Sequence, residues 1–507
     1  MAGPASPMII ALDQGTTSSR ALLVRPDGTI AAVSQRGIGQ TYPKPGWVEQ
    51  DPQEIWAAQR ETARAVLEQA AQESGEAGSS TVGGLGITNQ RETTIVWERA
   101  TGTPVHNAIV WQDRRTAPVC EELRAAGAEE LVRQKTGLLL DPYFSATKIR
   151  WIIERFASME RARAGELAFG TVDSWLVWNL TGGRLHVTDA TNASRTLLYD
   201  IRTGEWDQEL LDLFGVPREV LPDVVDTSGV VGETDPAVFG APLPVAALCG
   251  DQQAALFGQA CHRAGSTKVT YGTGCFLLAN VGDEPLASQH GLLTTVALQR
   301  AGRRRYALEG SAFVGGAAVK WLKGLGLIES SAASGELAAT LKAGEGGVFV
   351  PALAGLGAPH WDPAARGAFF GLSLATTPAH LARATLDGIA FQVADLVKAA
   401  QADCAAVGTL TLAELRADGG AAANDVLMQT QADLLGLPVA RAAQTESTAL
   451  GAAYLAGLAV GTWADEDEVA RLWRAERRFE PDPEVDRDRL GAIWRRAIAA
   501  VRAVGAE

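Results

Sequence analysis

A carboxylate that closes an apolar run and opens a turn of small polar residues can do phosphate chemistry. Asp13-Gln14-Gly15-Thr16-Thr17-Ser18-Ser19-Arg20 has this form after the run 8–12. Without bulky side chains, backbone N–H groups approach phosphate oxygens and the Thr and Ser hydroxyls add donors. The Asp13 carboxylate is suited to holding hydrated Mg²⁺. Alone, the segment reads as an ordinary hairpin turn, since Asp, Gly, Thr and Ser are common there. A second turn, Gly272-Thr273-Gly274, shifts the balance: two such loops from two lobes can grip one triphosphate.

Acceptor chemistry has its own candidates. Asp251, in Cys249-Gly250-Asp251-Gln252-Gln253, reads as a helix N-cap or as a carboxylate that takes the proton of an attacking hydroxyl. Low basicity suffices for the second role, because phosphoryl transfer is loose and the proton leaves late. Arg91-Glu92 interrupts a strand-like stretch. It is either a solvated connection or a donor–acceptor pair matched to a polyol's hydroxyls. Trp111, Tyr143 and Phe276 are core aromatics by composition, or the apolar wall over a carbon chain. Asp418-Gly419-Gly420-Ala421-Ala422-Ala423-Asn424 is a strand-to-helix turn with Asn424 as N-cap, small enough to let a flat base or ribose lie against the backbone. Other chemistries lack their residues: no lysine follows a glycine, no G-x-G-x-x-G occurs, and no H-x-x-x-H or C-x-x-C offers metal ligands.

These residues need elements to hold them. Strands are expected at 8–12 and 20–24, with Pro26-Asp27-Gly28 turning into a third at 29–33. Asp51-Pro52-Gln53-Glu54 carries an N-cap, an N1 proline and an N3 glutamate, and starts a long helix. Residues 267–271, 272–274 and 276–280 repeat the strand, Gly/Thr turn, strand order. Helices are expected at 378–402, 424–435 and 449–460, with strands at 348–351 and 412–416 between them. The mixture is α/β and duplicated.

The chain has 507 residues, beyond the size at which one core stops growing, so two domains are expected, 1–258 and 259–507. A formal charge of -14 argues against nucleic-acid and anionic-membrane partners, which require basic surfaces. Arg303-Arg304-Arg305 reads as a solvated turn. Five scattered cysteines suit a reducing compartment, and the start lacks a signal-peptide pattern. No run reaches the length of a membrane span. The expected location is the cytoplasm.

In order along the chain, ALDQGTTSSR, YPKPGWVEQDP, GITNQRETTIVWE, NAIVWQDRRT, DPYFSATKIRW, VTDATNASRT, GDQQAALFGQ, YGTGCF, GLGAPHWDP, ADGGAAAND and TALGAAYLAGLAVG resemble the FGGY carbohydrate kinases. The resemblance implies a two-lobed actin/hexokinase-like ATPase fold with duplicated ribonuclease-H-like domains. It also implies transfer of phosphate from ATP to glycerol, giving sn-glycerol 3-phosphate, in a homodimer or homotetramer. By the same resemblance Arg91, Glu92, Tyr143, Asp251 and Gln252 bind glycerol, Trp111 and Phe276 wall it, and Asp251 is the general base. Thr16, Thr17, Ser18 and Arg20 face the phosphates, Thr273, Gly316, Gly420 and Asn424 hold the nucleotide, and Asp13 organises Mg²⁺. Lys320 stands where the family often carries glutamine, and no role is assigned to it. No Lys or Arg occurs from 219 to 262, so a basic sugar-bisphosphate loop is not expected, and the neighbours of His262 do not resemble a regulatory-histidine motif.

Overall fold

The protein is described from a computed structural model, over residues 7–74, 81–408 and 411–505. The chain folds into two compact units, neither of them contiguous in sequence. One is Met1–Ala260 with Thr294–Tyr306 and Ser447–Leu472; the other is Cys261–Leu293 with Ala307–Glu446 and Trp473–Glu507.

The first unit is built on β1 (Met8–Gln14), β2 (Ser18–Val24), β3 (Ile30–Gly37), β4 (Val82–Asn89), β5 (Ser228–Glu233) and β6 (Pro244–Gly250). Their order is β5-β6-β4-β1-β2-β3. β1 to β3 form an antiparallel meander, while β1, β4 and β6 run parallel. The β1 sequence is continuously apolar because both faces of the sheet are covered. Ile10 and Leu12 pack in a cluster with Ile55 and Val66 of the helix Pro52–Ser74. Ile9 and Ala11 pack with Ala452 and Leu455 of the helix Ser447–Val460, from the far end of the chain.

That late helix sits unusually close to its neighbours. A Cβ on Gly86 would lie 2.3 Å from the Ala452 carbonyl oxygen, one on Gly451 1.8 Å from that of Ala254, and one on Gly258 2.0 Å from that of Ser447. Gly258 and Gly451 therefore bring the helix Asp251–Gly258 against Ser447–Val460, backbone to backbone. Helix propensity alone gives Gly451→Ala a gain of about 0.5–1 kcal/mol. Overpacking of this contact, about 1–3 kcal/mol or more, reverses the sign. The expected result is a lower thermal midpoint together with a lower kcat, since the displaced helix begins at Asp251; differential scanning calorimetry and turnover check both.

The second sheet comprises β7 (Thr267–Tyr271), β8 (Cys275–Gly282), β9 (Leu293–Arg300), β10 (Arg303–Ala312), β11 (Leu415–Asp418), β12 (Val439–Ala442) and β13 (Ala475–Phe479). Its order is β9-β10-β8-β7-β11-β12-β13. β7 and β8 form the antiparallel hairpin, and β7, β11 and β12 run parallel. The pattern of β1, β2, β4 and β6 recurs.

Three local expectations change. The strand placed at 412–416 starts at Leu415, set by its pairing with Thr267 and Val439, so Asp418 ends the strand instead of following it. Arg303 to Arg305 are not a solvated turn but the start of β10: Arg304 donates to the carbonyls of Arg202 and Thr203 at 3.1 Å each, and Arg305 pairs with Glu466. Asp51 caps Gln53 N at 2.8 Å as expected, but Glu54 accepts from Gly39 N at 3.2 Å. Among the described residues, no helix is long and apolar enough to cross a membrane.

Candidate active site

In the first unit the parallel strands end in register. Gln14 pairs with Asn89 and Asn89 with Gly250, so the segments that follow emerge at one sheet edge, where open α/β sheets place ligands. Arg91, Glu92 and Asp251 come from these segments. Arg91 Nε lies 3.3 Å from Asp251 Oδ1 and 3.7 Å from Glu92 Oε1, and its Nη2 donates to the Tyr143 hydroxyl at 3.4 Å. Trp111 meets the Tyr143 ring edge-on at 5.5 Å. Arg91 and Glu92 are fully buried side chains, not a solvated connection, whereas Asp251 keeps 30% of its side chain exposed and is within reach of a ligand. Gly250 is the N-cap and Asp251 the first helical residue, its Oδ1 accepting from Gln252 N at 2.7 Å. Gln252 is buried beside it. A Cβ at Gly250 would lie 2.8 Å from Arg91 Cδ, so the glycine makes room for the guanidinium's stem.

Three supporting side chains had no role in the sequence reading. Arg195, with no exposed side-chain surface, donates from Nε to Glu92 Oε1 at 2.7 Å and lies over the Phe144 ring at 5.2 Å. The row Arg195, Glu92, Arg91, Asp251 thus alternates in sign, as buried charges require. Lys148 donates from one ammonium to the carbonyls of Glu92 and Tyr143, both at 2.9 Å, and burial pushes its pKa down to about 8. Thr191 accepts from Gly250 N at 2.8 Å while its hydroxyl donates to Asp189 Oδ1 at 2.9 Å, fixing the residue before Asp251. A signal existed: VTDATNASRT is as polar as a loop yet buried throughout. Its side chains bond inward, and polarity alone does not distinguish that from solvation.

The phosphate-type turn is tight, with Gly15 N donating to Ser18 O at 3.0 Å. Asp13 sits opposite Arg20 across the hairpin. Burial raises the Asp13 pKa to about 6, Arg20 pulls it down, and the nearby charge of Asp251 pushes it up. Thr17 is exposed, Thr16 half-buried, and Ser18 accepts from Gln35, which in turn accepts from Arg20.

Within the second unit, Thr273, Gly316, Gly420 and Asn424 line one cavity of about 680 Å³, together with Lys320 and Glu336. Gly316 N donates to Gly272 O at 2.8 Å, joining the turn after β7 to the helix Gly316–Gly324. Gly419 has φ +86°, and a Cβ there would strike the Tyr271 backbone at 2.6 Å, whereas Gly420 faces open space. Asn424 is the N-cap of Asp425–Leu435, accepting from Leu427 N at 3.1 Å. Phe276 belongs to this unit, half-buried on β8 opposite Thr270, while the other predicted substrate residues belong to the first.

Two hairpin-plus-parallel sheets, each ending in a Gly/Thr turn, define a two-domain sugar kinase of the actin and hexokinase ATPase type. The chain belongs to the FGGY family of carbohydrate kinases, its residues 8–258 matching the N-terminal domain and 267–460 the C-terminal domain. Among individual proteins it is 57% identical to the glycerol kinase of Rhodopirellula baltica, over 93% of this chain and 86% of that one. It is 54% identical to the glycerol kinase of Deinococcus radiodurans, over 97% of each. The crystal structure of Plasmodium falciparum glycerol kinase with ADP superposes with a TM-score of 0.91 at 34% identity, covering 98% of both chains.

Proposed function

We propose that this chain phosphorylates glycerol with ATP to give sn-glycerol 3-phosphate. The observation that carries the assignment is the single guanidinium of Arg91 that reaches both Asp251 and Tyr143 beside the buried Glu92. Arg91 and Tyr143 donate to substrate oxygens and Glu92 accepts from hydroxyls. Trp111 covers the carbon chain, and Gln252 adds a polar contact. Asp251 takes the proton of the attacking hydroxyl. Thr16, Thr17, Ser18 and Arg20 receive the phosphates, and Thr273, Gly316, Gly420 and Asn424 hold the nucleotide.

The donor set fits Mg²⁺. Among the described residues no three His, Cys, Asp or Glu side chains converge as a metal cage. Mg²⁺ in phosphoryl-transfer sites is commonly held by one or two carboxylates, water and the nucleotide's own oxygens. Asp13 supplies one carboxylate whose charge is disfavoured by burial and by Asp251, and a cation offsets that penalty. When bound, Mg²⁺ neutralises phosphate charge. Because Asp13 takes up a proton around pH 6, the apparent Mg²⁺ affinity should fall more steeply with falling pH in the wild type than in Asp13→Asn, where only the nucleotide's own phosphate titrates. The stability sign is opposite: a raised carboxyl pKa favours the fold at low pH, and that contribution is lost as pH rises from about 4 through about 6. Mg²⁺ titrations of nucleotide binding between about pH 5 and 8 test the first point, and thermal midpoints without metal test the second.

All five cysteines are free and buried, in keeping with work in a reducing cytoplasm; we assign a homodimer or homotetramer as the working form. The function is tested by ADP release over glycerol, xylulose and gluconate. Release with glycerol is expected, and release only with a pentulose or sugar acid would remove the specificity while keeping the family.

A further inference from the structure

The segment YPKPGWVEQDP supplies none of the substrate, phosphate or nucleotide contacts proposed above, yet its Gln50, only 1% exposed, closes a ring of hydrogen bonds. Gln50 Nε2 donates to Thr16 O at 2.7 Å, and Gln90 Nε2 donates to Gln50 Oε1 at 2.9 Å. Thr93 Oγ1 donates to Gln90 Oε1 at 2.8 Å, and Trp111 N donates to Thr93 Oγ1 at 3.3 Å. The Trp111 indole Nε1 then donates to Thr16 Oγ1 at 2.9 Å and returns the ring to its start.

The directions are constrained. An indole N–H only donates, so the Thr16 hydroxyl accepts from Trp111 and its own proton points elsewhere. That leaves Thr16 poised as a donor to a phosphate oxygen. Gln50 and Gln90, fully buried and donating in sequence, hold the Thr16 carbonyl and the Trp111 backbone at a fixed separation. The geometry points to Gln50 and Gln90 as positioning residues that make the polyol wall and the phosphate turn one rigid piece, so that acceptor and phosphate are placed together. The inference rests on the glycerol-phosphorylating function above, and it adds two residues and one coupling to that function.

The test is steady-state kinetics on the full chain. Gln50→Met removes the donor to Thr16 while keeping side-chain length. Trp111→Phe keeps a ring over the substrate, loses the N–H, and breaks the same circuit from its half-buried side, should Gln50→Met fold poorly. Each change is expected to lower kcat by about tenfold, the effect of roughly one hydrogen bond expressed in the transition state. The glycerol KM should stay within about threefold for Gln50→Met, because Gln50 is bonded to Thr16 and Gln90 and lies outside the polyol set. In the double variant the losses should fail to multiply, leaving kcat near that of the weaker single variant. A bare packing role would lower the thermal midpoint without that non-additivity. An active wild type whose two losses multiply fully, or whose Gln50→Met keeps its kcat, overturns the coupling alone. A wild type inactive on glycerol overturns both function and coupling.

Discussion

Asp251→Asn is expected to lower kcat by about 10²–10⁴-fold, the range for loss of a general base, while glycerol and nucleotide still bind. The asparagine keeps an oxygen for Gln252 N, the bond that now holds Asp251 at 2.7 Å. It keeps nearly the same volume at the first residue of the helix Asp251–Gly258. What disappears is the negative charge 3.3 Å from Arg91 Nε and the capacity to take a proton from the acceptor hydroxyl. The deficit therefore belongs in kcat. Glycerol affinity by calorimetry should change by less than about tenfold, since Glu92 and Tyr143 remain. Near-normal turnover would remove Asp251 as the base and leave it as a substrate contact.

Arg195→Leu is expected to be the most destabilising single change at the site. Arg195 has no exposed side-chain surface and donates at 2.7 Å to Glu92, which is itself buried. Removing one partner of a buried ion pair typically costs about 3–5 kcal/mol, because the other charge is left without compensation. Arg91, 3.7 Å away, cannot replace that bond without leaving Asp251 at 3.3 Å. Two effects should then appear together: a large drop in the denaturation midpoint, and a glycerol KM raised by about 10² or more as Glu92 shifts to find a donor. Arg195→Lys should recover part of the stability through its charge, and less of the KM, because an ammonium does not reproduce the Nε–H geometry. A variant of unchanged stability would show that Glu92 is held by other groups.

The sequence disclosed most where local chemistry and tertiary role coincide. The β1–β2 hairpin with Gly15-Thr16-Thr17, and the β7–β8 hairpin with Gly272-Thr273-Gly274, are marked by apolar runs broken at small polar residues, and both fold as read. Asn424 is legible as an N-cap because capping is a local act. Arg91 and Glu92 were harder to place. Their type suits a solvated connection as well as a site, and only the alternating charges of Arg195 and Asp251 justify their burial. Those partners come from distant segments, so no spacing rule brings them together. The helix Ser447–Val460 is the clearest case of missing information. As a sequence it is one more apolar helix late in the chain, but its glycine contacts with Asp251–Gly258 make it part of the first unit. A contiguous division at 258 carries no trace of that return. Asp251 itself reads as a cap from its position, and the structure gives that place to Gly250 because the strand β6 ends at Gly250 and the helix begins directly after it.

Stereospecific identification of the product tests the central claim most directly. The purified chain is incubated with ATP, Mg²⁺ and glycerol, and NADH formation is followed with a dehydrogenase specific for sn-glycerol 3-phosphate. Stoichiometric NADH is predicted, dependent on both ATP and glycerol and lost in Asp251→Asn. ADP release without any sn-glycerol 3-phosphate would contradict the account.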